Sequence, residues 1–368
     1  MIKSLRYLIF KFVYGNISKI DSPVKFKDIT VKNIYFNKNI SYKYFRIPSC
    51  RLYTDTINNT AFIRKDSLLR EVSYQFKLKK NLQIVNGPIK ENFVIKNGTP
   101  KIISRFDGNV FSLLSGGAAK NNYWHWVFDV LPKFGILEKI KNKNKIDYFL
   151  LPSTKKDYQM ASIQELGISK KKILDSEIYK HILCKSIISV DHPIIFNNNP
   201  SKSIQNIPDW TIKWLRKSFT KKRYNKNNYP KKIFISRVGD SNLDKRSLIN
   251  NEEVENFLQK LGFTSVVLSN YAFKDQVRLF QNASFIVGLH GAGFANLVFA
   301  KNKAKVIEIK SAMSGNVITN LAYKCNLNYK SYIDRKTSSI NHQDSHTRVN
   351  LNEFKKMVLS FEKKQNID

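Results

Sequence analysis

Between residues 232 and 309 short apolar runs alternate with amphipathic segments, and that alternation constrains the fold of this chain more tightly than any other feature of its 368 residues. Lys232-Ile233-Phe234-Ile235-Ser236, residues 264–268, Phe285-Ile286-Val287 and residues 305–309 read as strands. Helices are expected over 250–261 and 272–282, with a short one over 292–299. Asn250 or Asn251 can cap the first of these, Glu252 and Glu253 suit its positive end, and Gly262 closes it. Strands separated by helices of about ten residues make βαβ units, and βαβ units make a parallel sheet.

Upstream the pattern is looser. Residues 121–141 place Trp124, Val127, Phe128, Leu131 and Phe134 at helical spacing, and Pro132 predicts a kink or break there. Strands are expected at 148–151 and 187–190, and helices at 157–166 and 208–223. Residues 20–115 hold short β-rich runs, such as Asn92-Phe93-Val94-Ile95, broken by Asn, Gly and Pro. The polar, aperiodic stretch 224–230 ends in Pro230 and marks the expected boundary. This divides the chain into an N-terminal domain 1–229, a C-terminal domain 230–335 and a tail or helix 336–368.

Four constellations carry chemistry. The first is Gly288-Leu289-His290-Gly291-Ala292-Gly293, a glycine-rich turn between a strand and a short helix that carries Asn296. Ligands of parallel sheets bind beyond the carboxyl ends of strands, and a helix N-terminus there suits phosphate. The spacing is neither that of a dinucleotide fingerprint nor that of a P-loop, and an ordinary tight turn is the alternative. The second is Arg237, just past the first strand of this domain, with Arg246 before the next helix; arginine presents a fork to phosphate oxygens, although a solvated charge is the usual fate of arginine in so basic a chain. The third is Glu308, at the end of a buried strand, which could accept from ribose hydroxyls or simply cap a neighbour. The fourth is His125 with Asp129, four apart on one helical face. A carboxylate that orients an imidazole makes a general base near neutral pH; a surface pair beside aromatic core residues is the alternative. No Asp-x-Asp motif is present to hold a metal ion.

Charge narrows the partners without naming one. Lys and Arg outnumber Asp and Glu 63 to 28, for a net charge of +35. That favours anionic partners, yet the basic residues are scattered, and abundant Lys, Asn and Ile are also what an AT-biased genome produces. The three cysteines, Cys50, Cys184 and Cys325, are far apart and suit a reducing, cytoplasmic setting. No apolar stretch reaches the roughly 20 residues of a membrane span. Residues 1–14 are basic and apolar, with Lys11 interrupting the run. They read as an interfacial amphipathic helix or as a first helix packed on its domain, and less well as a signal peptide.

Taken together, Trp124–Pro132, Ser236-Arg237 with Arg246 and Asn250-Asn251-Glu252, Gln276–Phe280, Gly288–Asn296 and Val306-Ile307-Glu308 resemble the family 61 glycosyltransferases, in the family's order, over roughly residues 115–310. The resemblance implies a GT-B fold, two α/β Rossmann-like domains with parallel sheets facing each other across a cleft. It implies inverting transfer from a nucleotide-sugar without a metal or other cofactor. Arg237, Arg246, Gly288, His290, Gly291, Ala292, Gly293, Asn296 and Glu308 would line the donor site, and His125 and Asp129 would supply the base. A bacterial surface-polysaccharide enzyme is the expected member: cytoplasmic, with peripheral contact at the inner membrane, a glycan or lipid-linked glycan acceptor, and no nucleic-acid partner. The alternatives are pyruvyl or phosphosugar transfer on the same scaffold, or a non-catalytic basic protein that binds nucleic acid or anionic glycan.

Overall fold

The computed structural model describes residues 2–78, 84–114, 120–140, 145–195, 205–220, 229–237, 247–335 and 346–363. The chain divides into two compact units, Met1–Ile204 and Gln205–Asp368.

The first unit is built on one sheet of twelve strands among the described residues. Four strands form two hairpins: β1 (Thr30–Asn37) with β2 (Ile40–Pro48), and β3 (Arg51–Thr56) with β4 (Asn59–Arg64). Each pair is joined by two residues, which forces antiparallel pairing. Further along come β5 (Ser104–Ser112), β6 (Tyr148–Leu151), β7 (Ile173–Asp175) and β8 (His181–Val190). These four are parallel, in the order β8-β5-β6-β7. β8 joins the two halves of the sheet. Its other edge pairs antiparallel with β3 through residues 181–183 and with β2 through residues 186–190. The sheet of this unit is therefore mixed, where a parallel one was expected. A further parallel pair joins the short strands Lys19–Asp21 and Ser67–Leu69.

Two local expectations change. Residues 92–95 are not β: Phe93–Asn97 is a short helix. Asn92 caps it by accepting from Val94 N–H at 3.3 Å, and Gly98 ends it with φ +64°. The segment 121–141 is helical in three pieces: Tyr123–His125, a π-helical turn Trp126–Val130, and Pro132–Glu138. Leu131 N–H reaches back five residues to Trp126 C=O at 3.1 Å. The wide turn lies directly before Pro132, whose ring would clash with the carbonyl four residues earlier in a regular α-helix.

Among the described residues the second unit carries a five-stranded, all-parallel sheet. Its strands are β9 (Lys232–Ile235), β10 (Thr264–Val266), β11 (Phe285–Leu289), β12 (Lys305–Ser311) and β13 (Asn328–Asp334), in the order β10-β9-β11-β12-β13. The chain steps from β9 to one side, then returns across it to β11. A crevice opens at such a reversal, beyond the carboxyl ends of the two strands. The helix Asp209–Phe219 lies in this unit, upstream of the boundary expected at 229/230. Arg216 fastens it by donating to Val298 C=O at 2.7 Å and Ala300 C=O at 3.2 Å, and Phe219 packs against Phe273 and Phe299. The helix Leu351–Lys363 is no loose tail either. Phe354, Val358 and Phe361 are buried in the same core as Phe234, Phe285 and Ile307. Among the described residues no helix is long and apolar enough to cross a membrane.

Glycines of the 288–293 turn serve packing as well as access. Gly288 stands opposite Ile235 in register. A Cβ there would meet Ile235 Cβ at 2.9 Å and Phe294 Cζ at 3.3 Å, whereas one on Gly291 would have its nearest neighbour at 3.8 Å. Gly288→Ala should therefore destabilise the protein by about 1–3 kcal/mol through overpacking. Gly291→Ala should leave Tm nearly unchanged. Thermal denaturation of the two variants, compared side by side, checks the contrast.

Candidate functional site

In the first unit a buried carboxylate gathers the chemistry. Asn122 caps the helix that leads to it, accepting from Trp124 N–H at 2.9 Å and His125 N–H at 3.4 Å. Trp126 is fully buried, and its indole N–H donates to Ser162 Oγ at 2.9 Å, which fixes the rotation of the π turn. That rotation directs Asp129 inward and leaves His125 at the rim. His125 Nδ1 donates to Asp129 Oδ2 at 2.6 Å, with the His125 side chain 27% exposed and that of Asp129 only 3%. His125 thus presents its other ring nitrogen, Nε2, as the one not held by Asp129.

Three groups that sequence reasoning missed complete the cluster. His192 lies two residues past the end of β8, and its Nε2 is 3.6 Å from Asp129 Oδ2. Ile194 N–H donates to His192 Nδ1 at 3.0 Å, which orients the ring. Lys133 is fully buried and donates to Leu113 C=O at 2.6 Å, just past the end of β5. Tyr74 feels the Asp129 charge. His192 had a signal, since Asp191-His192-Pro193 directly follows an apolar strand. Lys133 had one too, as the only charged residue between Val130 and Leu137. The cluster therefore sits at the carboxyl ends of the parallel strands β5 and β8, where α/β sheets present their ligands.

Electrostatics follow from this crowding. Burial alone would push the Asp129 carboxyl up; the charges of the two imidazoles and the hydrogen bond from His125 outweigh it and hold the group well below the usual carboxylate range. Burial disfavours the His125 imidazolium, but the charge and hydrogen bond of Asp129 prevail, so its pKa is raised above 6.5. Burial pulls the Lys133 ammonium down to about 7, with Asp129 opposing. Burial, and then the Asp129 charge, push the Tyr74 phenol up.

The second unit holds a similar pairing. The 288–293 turn follows β11 and Arg237 follows β9, so both stand at the reversal of strand order. Arg237 Nη1 is 3.9 Å from where a Cβ on Gly291 would stand, so the guanidinium lies alongside the turn. His290 N–H continues the ladder to Ile309 C=O at 2.8 Å, and its Nδ1 donates to Glu308 Oε1. Ala292 is half-buried and opens the 3-10 helix Ala292–Phe299.

Two residues expected at the donor sit behind the turn instead. Glu308 lies mid-strand, because β12 continues to Ser311, and it is fully buried. One carboxylate oxygen accepts from His290; the other accepts from the Tyr329 hydroxyl and has Lys310 Nζ at 4.0 Å. With both oxygens committed inside the protein, Glu308 orients His290. Burial, then the Glu308 charge, push the Tyr329 phenol up. Asn296 is also fully buried, donating to Gln276 Oε1 at 3.0 Å and Gly293 C=O at 3.2 Å. It ties the turn to the helix Phe273–Asn282. Gly293 has a packing duty, since a Cβ on it would lie 2.8 Å from Leu268 Cδ1. Arg246 lies outside the described residues. Tyr329 was out of reach from sequence, because β13 carries no pattern that places it beside Glu308.

The family model described as Glycosyltransferase 61 matches residues 123–307, from the helix that carries His125 to β12. Among characterised relatives, the EGF domain-specific O-linked N-acetylglucosamine transferase of Mus musculus is 28% identical over 118 residues, which is 31% of this chain and 22% of that protein. The Gallus gallus protein of the same name is 27% identical over 120 residues, with the same shares covered. The match thus spans about a fifth of the length of these relatives.

The imidazole of His125 should titrate above 6.5, and Asp129→Asn should bring it down to or below the ordinary value, since burial then acts with less opposition. The sign for stability follows. Protonated His125 contributes stability that is complete below about pH 6.5 and is lost as pH rises through the raised value. NMR titration of the ring protons in the two proteins is the check, and an unchanged His125 titration would contradict the coupling.

Proposed function

The chain belongs to the glycosyltransferase 61 family, and from that premise we propose that it is an inverting transferase that moves a sugar from a nucleotide-sugar donor to a glycan acceptor. The observation that carries this reading is the pairing of an arginine and an oriented imidazole at a glycine turn on the strand-order reversal. That is an arrangement suited to a diphosphate. In it the donor diphosphate rests on backbone N–H groups of Gly291–Gly293, with Arg237 and His290 offsetting the charge that grows on the leaving group. Preorganised charge of this kind is often the largest catalytic contribution.

His125 acts as the base. Its Nε2 takes the proton of the acceptor hydroxyl as the oxygen bonds to the anomeric carbon. The bond from that carbon to the diphosphate breaks on the opposite face, and the nucleoside diphosphate leaves. Asp129 stays ionised and stabilises the imidazolium that forms, while His192 and Lys133 help keep that carboxylate charged in its dry surroundings. Partial exposure favours His125 over His290 as the base, since the His290 side chain is only 8% exposed. Glu308 and Asn296 hold the donor turn in shape. No Asp-x-Asp motif is present to hold a cation, so the reading assigns leaving-group charge to Arg237 and His290. GT-B is the architecture that the family resemblance implies, and the proposal adopts it. A surface-polysaccharide acceptor and a cytoplasmic site of action complete the reading, supported by three buried, unpaired cysteines.

A nucleoside diphosphate should raise Tm in a thermal-shift screen, because a ligand that binds the folded state stabilises it by mass action. Silence toward every nucleotide would sink the proposal. His125→Ala should lower kcat by roughly 10²–10⁴-fold with donor affinity intact. Arg237→Ala should weaken nucleoside diphosphate binding by about tenfold or more, the expectation for a charge-assisted contact. Calorimetric titration beside steady-state kinetics separates the two effects.

A further inference from the structure

The N-terminal helix Ile2–Tyr14 packs on the first unit by one face and leaves a second, apolar face in water. Tyr7, Phe10, Lys11 and Tyr14 are half-buried and spaced i, i+3, i+4, i+7. Tyr7 meets Phe93 edge-on at 6.3 Å and Tyr14 meets His181 at 5.3 Å. Lys11 Nζ donates to Lys96 C=O at 2.8 Å, and Tyr14 Oη accepts from Ile103 N–H at 3.3 Å. At 3.6 residues per turn, Leu5, Leu8, Ile9, Phe12 and Val13 fall on the opposite side. All five are exposed, from 53% at Ile9 to 92% at Phe12. They are five of the fifteen exposed large apolar residues among those described, gathered on one helix rather than scattered.

An amphipathic surface helix ordinarily turns its apolar stripe inward. Here aromatic and lysine side chains do the anchoring, and the aliphatic stripe with Phe12 faces away. Contiguous apolar surface of this kind marks an interaction site. The charge around it selects the occupant. The helix carries Lys3, Arg6 and Lys11 and no acidic residue, in a chain of net charge +35. The bond to Tyr14 sets Lys101 and Ile102, both exposed, beside its carboxyl end. A second copy docking here would bring like charges together. A bilayer with anionic headgroups meets both demands, taking the stripe into its acyl boundary while its surface charge attracts the basic chain.

We propose that Leu5, Leu8, Ile9, Phe12 and Val13 form a membrane-docking face, which seats this protein on an anionic lipid surface. The inference is independent of the catalytic reading. Its test is co-sedimentation of the full chain with vesicles of phosphatidylcholine, with and without about one third phosphatidylglycerol, at low and high salt. The expected result is binding to the anionic vesicles that weakens with salt. The double variant Leu8→Ser/Phe12→Ser should lose about tenfold or more of it, since each side chain removes buried apolar area. Val24→Ser, at another exposed apolar position, should leave binding unchanged. Neither Leu8 nor Phe12 supports the core, so circular dichroism and Tm should match the parent. Failure to bind anionic vesicles, or equal binding by the double variant, would overturn the proposal. So would a dimer in sedimentation equilibrium that the double variant dissolves.

Discussion

A carboxylate shut away from water must be met by donors or be neutralised, and each unit of this protein is organised around one such group. Asp129 and Glu308 are both buried, and each grips an imidazole through Nδ1. Desolvation of a lone carboxylate would cost several kcal/mol, so the donors around it are a condition of the fold and no mere addition to it. Around Glu308 these are His290, Tyr329 and the nearby Lys310; at Asp129 His125 donates to Oδ2 with His192 Nε2 at 3.6 Å, while Oδ1 makes no hydrogen bond among the described residues. The same requirement that makes the interior stable also fixes which ring nitrogen each histidine turns outward. Positioning and solvation are one problem here, solved once in each unit.

Legibility in the sequence followed the physics of the elements. The strands and helices between 232 and 309 were readable because a parallel sheet covered on both faces demands near-continuous apolar strands and clean helical spacing between them. The first unit was opaque for the opposite reason. Its hairpins expose one face or edge in places, as the alternation of β1 shows, and its central strand β8 changes partners halfway along. Asn92–Ile95 illustrates the limit: β-branched and aromatic residues argued for a strand, and an asparagine cap with a left-handed glycine made a helix. The helix at 209–219 is legible as a helix, but its place in the second unit is not, because Arg216 bonds to carbonyls 82 and 84 residues away.

The candidate site divides in the same way. Local pairs could be read: His125 with Asp129 through helical spacing, and the glycine turn through its place after a strand. Residues brought together by topology could not. His192 reaches Asp129 from the far end of β8, and Tyr329 reaches Glu308 from the next strand of a sheet whose order sequence does not announce. Asn296 and Glu308 are legible as neighbours of the glycine turn, but only their burial shows that they hold it from behind.

The π turn at Trp126–Val130 carries a consequence for how this chain can vary. It fits one more residue into a turn than an α-helix would hold. Removing Val127 or Phe128 would let the turn close as a regular α-helix and shorten the spacing between His125 and Asp129 from four residues to three. His125 and Asp129 would still share a helical face, but the 2.6 Å bond that the wide turn sets would have to be rebuilt across the shorter spacing. In this stretch a deletion is a sharper lesion than a substitution, because what is inherited is a count of residues as much as a set of them.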